Sequence, residues 1–195
     1  MNSEQQYIDL YKQARGMIHE HSSDVMNAVR DEAFERFVSS GFPTRKQERY
    51  KYTDIQKLFA PDYGLNLNRL TIPVDPYKAF RCDVPNLSTS LYFVVNDMLY
   101  RGEKDSQRHT LLSREEARGE RIPHASAKLP EGVIISSLKE LSSNSSPLTS
   151  HLYNKLAGKA NDAVTDLNTM LAQDGLYIYV PKNVKVDRAI QVINI

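Results

Sequence analysis

The chain has 195 residues, of which 41% are hydrophobic and 25% charged, and its formal net charge is +1. These values are typical of a globular protein with a buried core, and they exclude a charge field spread over the whole sequence that would recruit nucleic acid or anionic lipid. The only cysteine, Cys82, cannot form an internal disulfide, which favours a reducing cytoplasmic compartment, and the apolar runs are too short to cross a bilayer.

The first 60 residues predict an N-terminal helical region. Ser3 and Gln6 have the spacing of a capping box, and an apolar stripe with helical spacing follows them. That stripe comprises Tyr7, Leu10, Tyr11, Ala14 and Ile18. A second helix is predicted to begin near Ser22 or Ser23 and to end at Gly41, before Pro43. Its stripe comprises Met26, Val29, Ala33, Phe34, Phe37 and Val38.

Residues 61–147 predict an irregular connection, a small mixed α/β unit and a linker. Four prolines between 61 and 85 exclude a long helix or a central strand there. Residues 91–95 and 98–100 predict two strands of a hairpin, joined by a tight turn at Asn96 and Asp97. Residues 133–135 predict another strand, and a turn of helix through Leu138 and Leu141 is expected next. The serine-rich stretch 142–147 predicts a polar linker.

Residues 148–195 predict one helix followed by strands. The spacing of Leu152, Leu156, Ala160, Val164, Leu167 and Leu171 predicts a single helix over 150–172, closed by Asp174 and Gly175. Alternating apolar residues over 176–195 then predict strands that end the chain without a polar tail, so we expect the chain to be the front part of a longer protein. These strands need partners, which either the 91–100 hairpin or a second copy could supply. We predict strand pairing or swapping in a homodimer.

A catalytic or metal-binding motif is not evident in the sequence. The histidines His19, His21, His109, His124 and His151 are isolated or point to different faces, and Cys82 has no companion. Gly158 and Lys159 lack the upstream glycine of a phosphate loop, and a Gly-x-Ser-x-Gly elbow is absent. We therefore expect no catalytic residue, no metal ligand, no resident cofactor and no enzymatic activity. A small enzyme with an unrecognised site is the rival interpretation.

The segment 41–53 interleaves cations with aromatic rings. One interpretation is a nucleic-acid-binding module for single strands. Its residues would be Arg45, Lys46, Arg49, Tyr50, Lys51 and Tyr52. The other interpretation is packing, in which Tyr50 and Tyr52 bury their rings beneath the stems of the cations. The near-neutral chain favours packing, because nucleic-acid binding usually needs a broader basic footprint.

The same segment resembles a signature of the SufB/SufD family of the SUF iron–sulfur cluster assembly system, and it is closer to SufD than to SufB. The matching residues are Gly41, Phe42, Pro43, Thr44, Arg45, Glu48, Tyr50, Lys51, Tyr52 and Thr53, with Tyr50 where tryptophan is commoner. Three further stretches are similar in the same order: 92–97, where Asp97 replaces the usual glycine, then 129–138 and 168–195.

The resemblance implies an α+β fold in three parts: the N-terminal helical region 1–60, the connection and small mixed α/β unit 61–147, and 148–195 with the first strands of a right-handed β-helix. It implies a cytoplasmic scaffold subunit that acts by protein–protein assembly with SufB and the ATPase SufC. The family's cluster-building residues would lie beyond this chain, so no cluster ligand is assigned. We also expect the N-terminal part to cap the open end of the β-helix.

Overall fold

The computed structural model describes residues 3–70, 73, 76, 89–100, 129–143, 147–159 and 161–195. The chain divides into two units. The first, here called the helical unit, comprises residues 1–70 and 138–174, and the second, the strand unit, comprises residues 71–137 and 175–195. The described helices with defined bounds lie in the helical unit and the described strands lie in the strand unit, so the predicted mixture of α and β structure is confirmed.

Seven α-helices with defined bounds occur in the described part of the helical unit. They are α1 Ser3–His21, α2 Asp24–Asn27, α3 Arg30–Ser40, α4 Ile55–Leu58, α5 Leu138–Ser143, α6 Pro147–Ser150 and α7 Ala163–Leu171, with 3₁₀ turns at Glu48–Tyr50 and Ala157–Lys159. The prediction of a helix start near Ser23 is confirmed, because its hydroxyl accepts a hydrogen bond from the Met26 N–H (3.4 Å). That helix is interrupted at residues 28 and 29, and it ends at Gly41 as predicted.

The core of the helical unit joins α1 and α3 to α7. Its buried residues are Tyr7, Tyr11, Ile18, Phe37, Phe42, Ile55, Ala163, Leu167 and Met170. The predicted stripe of α1 supplies three of these side chains, because residues three and four apart share one face of a helix. Val38 departs from the predicted stripe of α3 and is 49% exposed.

The predicted single helix over 150–172 is wrong. Helix α6 ends at Ser150, turns follow, and α7 begins only at Ala163. Asn154 and Asn161 have positive φ values of 56° and 45°, which no α-helix accommodates. The Asp162 carboxylate then accepts a hydrogen bond from the Val164 N–H (3.2 Å) and starts α7 as its N-cap. Leu152 and Leu156 are consequently 59% and 88% exposed.

The predicted polar linker over 142–147 is wrong at both ends. Ser142 and Ser143 belong to α5 and Pro147 begins α6, while residues 144–146 lie outside the described residues. The Ser142 side chain is buried, and its hydroxyl lies 2.6 Å from the Ser23 hydroxyl. A serine can be buried because its hydroxyl is hydrogen-bonded.

Arg30 links the start of α3 to the end of α7. The last carbonyls of a helix have no partner within the helix. Here the fully buried Arg30 guanidinium donates hydrogen bonds to three of them. Its hydrogen-bond partners include the carbonyls of Thr169 (3.2 Å), Met170 (2.9 Å) and Ala172 (2.8 Å), and the side chains of Asn27 (3.2 Å) and Ser22 (2.8 Å).

The described part of the strand unit contains a three-stranded and a two-stranded sheet. Its described strands are β1 Thr89–Val95, β2 Met98–Leu99, β3 Ile134–Ser137, β4 Leu176–Tyr179 and β5 Ala189–Asn194. The predicted hairpin is confirmed, since β1 and β2 pair antiparallel with Val94 opposite Leu99. Asn96 and Asp97 have φ values of 48° and 63°, as a two-residue type I′ turn requires.

The terminal strands find their partners within the same chain. β5 pairs parallel with β1, with Phe93 opposite Ile193, and β4 pairs antiparallel with β3. The terminal strands were predicted to pair either with the hairpin or with a second copy of the chain. Pairing with the hairpin is confirmed for β5, and strand exchange in a homodimer stays a prediction. The predicted strand pattern is interrupted over 180–188, where Val184 and Val186 belong to no strand. Residues 61–70 contain no helix or strand, as predicted, and most of 71–88 lies outside the described residues.

Replacing Arg30 with methionine should destabilise the helical unit by about 3 kcal/mol, because the buried carbonyl groups lose their donors. The measurement is the free energy of unfolding from a urea titration followed by helical circular dichroism. Arg15→Met is the matched control: Arg15 is 53% exposed and forms a surface ion pair with Asp31, so its loss should cost less than about 1 kcal/mol. Equal losses in the two variants would contradict the role given to Arg30.

His19 on α1 makes the stability of the helical unit depend on pH. Its Nε2 atom is buried without a hydrogen-bond partner among the described residues. Burial, followed by the charges of Arg30 and Arg15, lowers the pKa of His19 below 6.5, and the charge of Asp31 opposes this only in part. The folded state therefore favours the neutral imidazole, so its contribution is present above the unfolded-state pKa and is lost as pH falls below it.

Wild-type protein should accordingly lose stability when the pH is lowered from neutral through the ordinary histidine range, and His19→Gln should lose less. Urea titrations of both proteins at a neutral and a mildly acidic pH measure the difference. The same acid sensitivity in the variant would show that other groups cause it.

Candidate functional site

Residues 41–53, here called the signature loop, connect α3 to α4 and begin with a glycine that the backbone requires. Gly41 has φ 61° and ψ −177°, and its N–H donates to the Phe37 carbonyl (2.9 Å), which ends α3. A Cβ atom at this position would lie 3.0 Å from Glu4 Oε1. Both the backbone angles and the close approach of Glu4 therefore favour glycine.

Phe42 anchors the first end of the signature loop in the core. Its ring is 3% exposed, and ring centroids of Phe59, Phe37 and Tyr7 lie 5.1, 5.2 and 6.0 Å away. Its backbone N–H donates a hydrogen bond to Glu4 Oε1 (2.8 Å). An aromatic cluster and a charged acceptor thus hold this end, and each type of contact contributes about 1 kcal/mol.

Asp162 anchors the second end. The Tyr50 hydroxyl donates to Asp162 Oδ1 (2.6 Å), and Arg49 Nη2 lies 3.4 Å from Asp162 Oδ2. Burial and, after it, the hydrogen bond to this carboxylate raise the pKa of Tyr50. The Asp162 side chain is only 7% exposed, and it is also the N-cap of α7. One carboxylate therefore fixes both a helix start and the loop.

The middle of the signature loop is held by its own contacts. Arg45 Nε donates to the Lys51 carbonyl (3.2 Å), and Thr53 N–H donates to the Tyr50 carbonyl (2.9 Å). Lys51 Nζ lies 3.9 Å from a Glu48 carboxylate oxygen, an exposed pair that contributes little to stability. These contacts within the loop add to the two anchors that hold it.

The surface of the loop forms an open depression of about 590 Å³. It is lined by Pro43, Thr44, Arg45, Lys46, Lys51, Asp54 and Gln56. Tyr52 lies beside Lys51 and is 87% exposed, with Lys51 Nζ 5.5 Å from its ring centroid. The packing interpretation is thus confirmed for Tyr50, which is half-buried, and wrong for Tyr52.

The candidate residues for other chemistry do not converge in the part of the chain that can be described. His21 Nδ1 contacts the Leu67 carbonyl and Gln173, and His151 is exposed on a turn. Cys82, His109 and His124 lie outside the described residues. Among the described residues, no group of three or more His, Cys, Asp or Glu side chains could hold a metal ion. Each helix in the described ranges is either too short or too polar to span a lipid bilayer.

The structure therefore brings the whole predicted signature together in one surface loop, and it adds two residues that sequence reasoning missed. Glu4 and Asp162 lie far from the loop in sequence and hold its two ends. For Glu4 the sequence carries no signal. Asp162 could have been recognised as a helix N-cap, because it stands immediately before the apolar residues Ala163 and Val164.

The fold and the site thus define a mixed α/β protein with an anchored, cationic surface loop. The family model of the SufBD protein N-terminal region matches residues 1–192, so the chain belongs to this family. The match supports the predicted SufB/SufD resemblance as a family, without distinguishing SufD from SufB, and it suggests a role in the SUF iron–sulfur assembly system. Comparison with curated proteins and with solved structures gives no match.

Tyr50→Phe should lower the free energy of unfolding by about 1 kcal/mol, because the buried Asp162 carboxylate loses a hydrogen bond. Tyr52→Phe removes the same atom from an exposed ring and should change the stability by less than about 0.5 kcal/mol. Urea titration of the two variants beside wild type measures both values. A Tyr50→Phe variant as stable as wild type would show that the Asp162 contact does not hold the loop.

Proposed function

We propose that this protein is a SufD-type scaffold subunit of the SUF system, which acts by binding other subunits and not by catalysis. The observation that carries the proposal is the family match, which spans residues 1–192 and so nearly the whole chain. A scaffold role also accords with the exposed side chains of Arg45, Lys46 and Tyr52, which the anchored signature loop presents at the surface.

SufD is preferred over SufB because of the signature loop. The loop residues Gly41, Pro43, Thr44 and Lys51 match the SufD signature. The loop is also held in place at both ends, by Glu4 and by Asp162. We propose SufB and the ATPase SufC as partners, and the cytoplasm as the compartment, on the family resemblance. The cluster is then cargo that the complex handles transiently.

We further propose that β4 and β5 are the first strands of a right-handed β-helix. Two features support this: β4 and β5 are short strands separated by a turn-containing connection, and β5 lies parallel to β1. A solenoid's first strands expose an edge that other residues must cover. Within the strand unit, β1 covers one edge of β5, and its hairpin partner β2 lies beyond it.

The scaffold proposal predicts that the affinity-tagged protein co-purifies with SufB and SufC from cells that express all three. Partners that stay bound through purification are expected if subunit binding is the function. A second measurement is the activity of iron–sulfur enzymes in cells that lack the gene: activity should fall and return when the gene is restored.

A tagged protein of unrelated fold, expressed at the same level, is the control for carry-over of partners. Absence of both partners together with unchanged iron–sulfur enzyme activity would overturn the proposal. A purified protein that turns over a substrate alone would favour the enzyme interpretation.

A further inference from the structure

The region around the signature loop concentrates positive charge in a chain that is nearly neutral. Residues 43–57 carry five cations and two carboxylates, whereas the whole chain has a net charge of only +1. Three of these cations, Arg45, Lys46 and Lys51, line the same depression. An exposed cationic patch attracts anionic groups, and the attraction is local because salt screens it beyond about 8 Å.

The carboxylates nearby leave much of this charge available. Asp54 accepts a hydrogen bond from the Lys57 N–H (3.0 Å) as the N-cap of α4, and Glu48 is 90% exposed beside Lys51. Arg49 lies 3.4 Å from the Asp162 carboxylate and is not among the residues that line the depression. Among the described residues, neither Arg45 nor Lys46 takes part in an ion pair within 4 Å. Two cations therefore face the depression without a neutralising partner in that set.

The loop is also organised before any partner binds. Phe42 is fixed by the aromatic core, Tyr50 by Asp162, and Arg45 by the Lys51 carbonyl. A surface that is already ordered loses little conformational entropy on binding. Tyr52 adds a large, 87% exposed ring next to these cations, and tyrosine and arginine are among the residues that contribute most at protein interfaces.

We propose that the signature loop docks an acidic segment of a partner protein. Carboxylates of that segment contact Arg45, Lys46 and Lys51, and an apolar side chain next to them packs on Tyr52. The inference deepens the proposed function, since it names the surface through which a scaffold subunit would hold a partner. A peptide fits better than a nucleic acid, because Glu48 and Asp54 at the patch would repel a continuous phosphate backbone, while a peptide can place its carboxylates selectively.

The test is fluorescence polarisation with a short, labelled peptide rich in aspartate and glutamate that carries one phenylalanine. Wild type should bind it saturably, and Arg45→Ala/Lys51→Ala should weaken binding by about tenfold or more. Lys12→Ala/Lys155→Ala removes the same charge from exposed positions elsewhere in the helical unit and should leave the affinity unchanged. Tyr52→Ala should weaken binding without any change of charge.

Because Arg45 also holds the loop, a second variant separates binding from folding. Lys46→Glu changes a side chain that makes no hydrogen bond or ion pair with the described residues, so it should reduce the affinity while the urea midpoint stays at its wild-type value. No saturable peptide binding, or an equal loss in the Lys12/Lys155 control, would overturn the proposal.

A single-stranded oligothymidylate of similar charge and inorganic phosphate are the other two probes. If the oligonucleotide binds more tightly than the peptide and the same loop variants weaken it, the loop is a nucleic-acid site and the proposal is wrong. If inorganic phosphate alone displaces the peptide, the loop is only a site for small anions. These measurements use neither SufB nor SufC. Failure here with intact co-purification would therefore remove only the surface inference, and the reverse result would remove only the scaffold proposal.

Discussion

The helical unit depends on the buried guanidinium of Arg30, which lies at the start of α3 and contacts the last carbonyls of α7. Removing Arg30 from water is costly, and only a full set of hydrogen bonds makes that cost acceptable. The carbonyls at the end of α7 need donors for the same reason. The guanidinium therefore supplies the hydrogen-bond donors that the carbonyls need, and the carbonyls supply its acceptors. These hydrogen bonds form only when α3 and the end of α7 lie side by side.

The opposite end of α7 carries the second constraint, which extends from the core to the surface. Asp162 starts the helix and also accepts the Tyr50 hydroxyl, so the position of the signature loop follows from the position of α7. Between the two ends, Arg36 of α3 contacts Asp166 at 2.8 Å, with the aspartate side chain only 6% exposed. A helix fixed at its start, middle and end can hold a loop in one conformation. An ordered loop is what a docking surface requires, because ordering it during binding would weaken the complex.

Much of the fold and the residues of the signature loop could be predicted from local patterns. Apolar spacing identified α1, Gly41 marked the end of α3, and Asn96–Asp97 marked the hairpin turn, since each signal lies within a few residues of its effect. The same reasoning failed for the helix over 150–172. The helical spacing of apolar residues continues past Asn154 and Asn161, but the positive φ values of these two residues interrupt the helical backbone. The prediction that the Tyr52 ring is buried was also wrong, because a run of aromatic and cationic residues does not indicate which ring is buried.

The sequence by itself determined the family, the mixed α/β class and the composition of the signature loop. The tertiary structure alone decided which residues hold that loop, since Glu4, Asp162 and the loop meet only after α1, α3 and α7 have packed. It alone decided the role of Arg30, whose carbonyl partners at the end of α7 lie about 140 residues away in the chain. The physical reason is the range of the interactions: caps, turns and periodicity are local, whereas the burial of polar groups is satisfied by whichever residues the fold brings near.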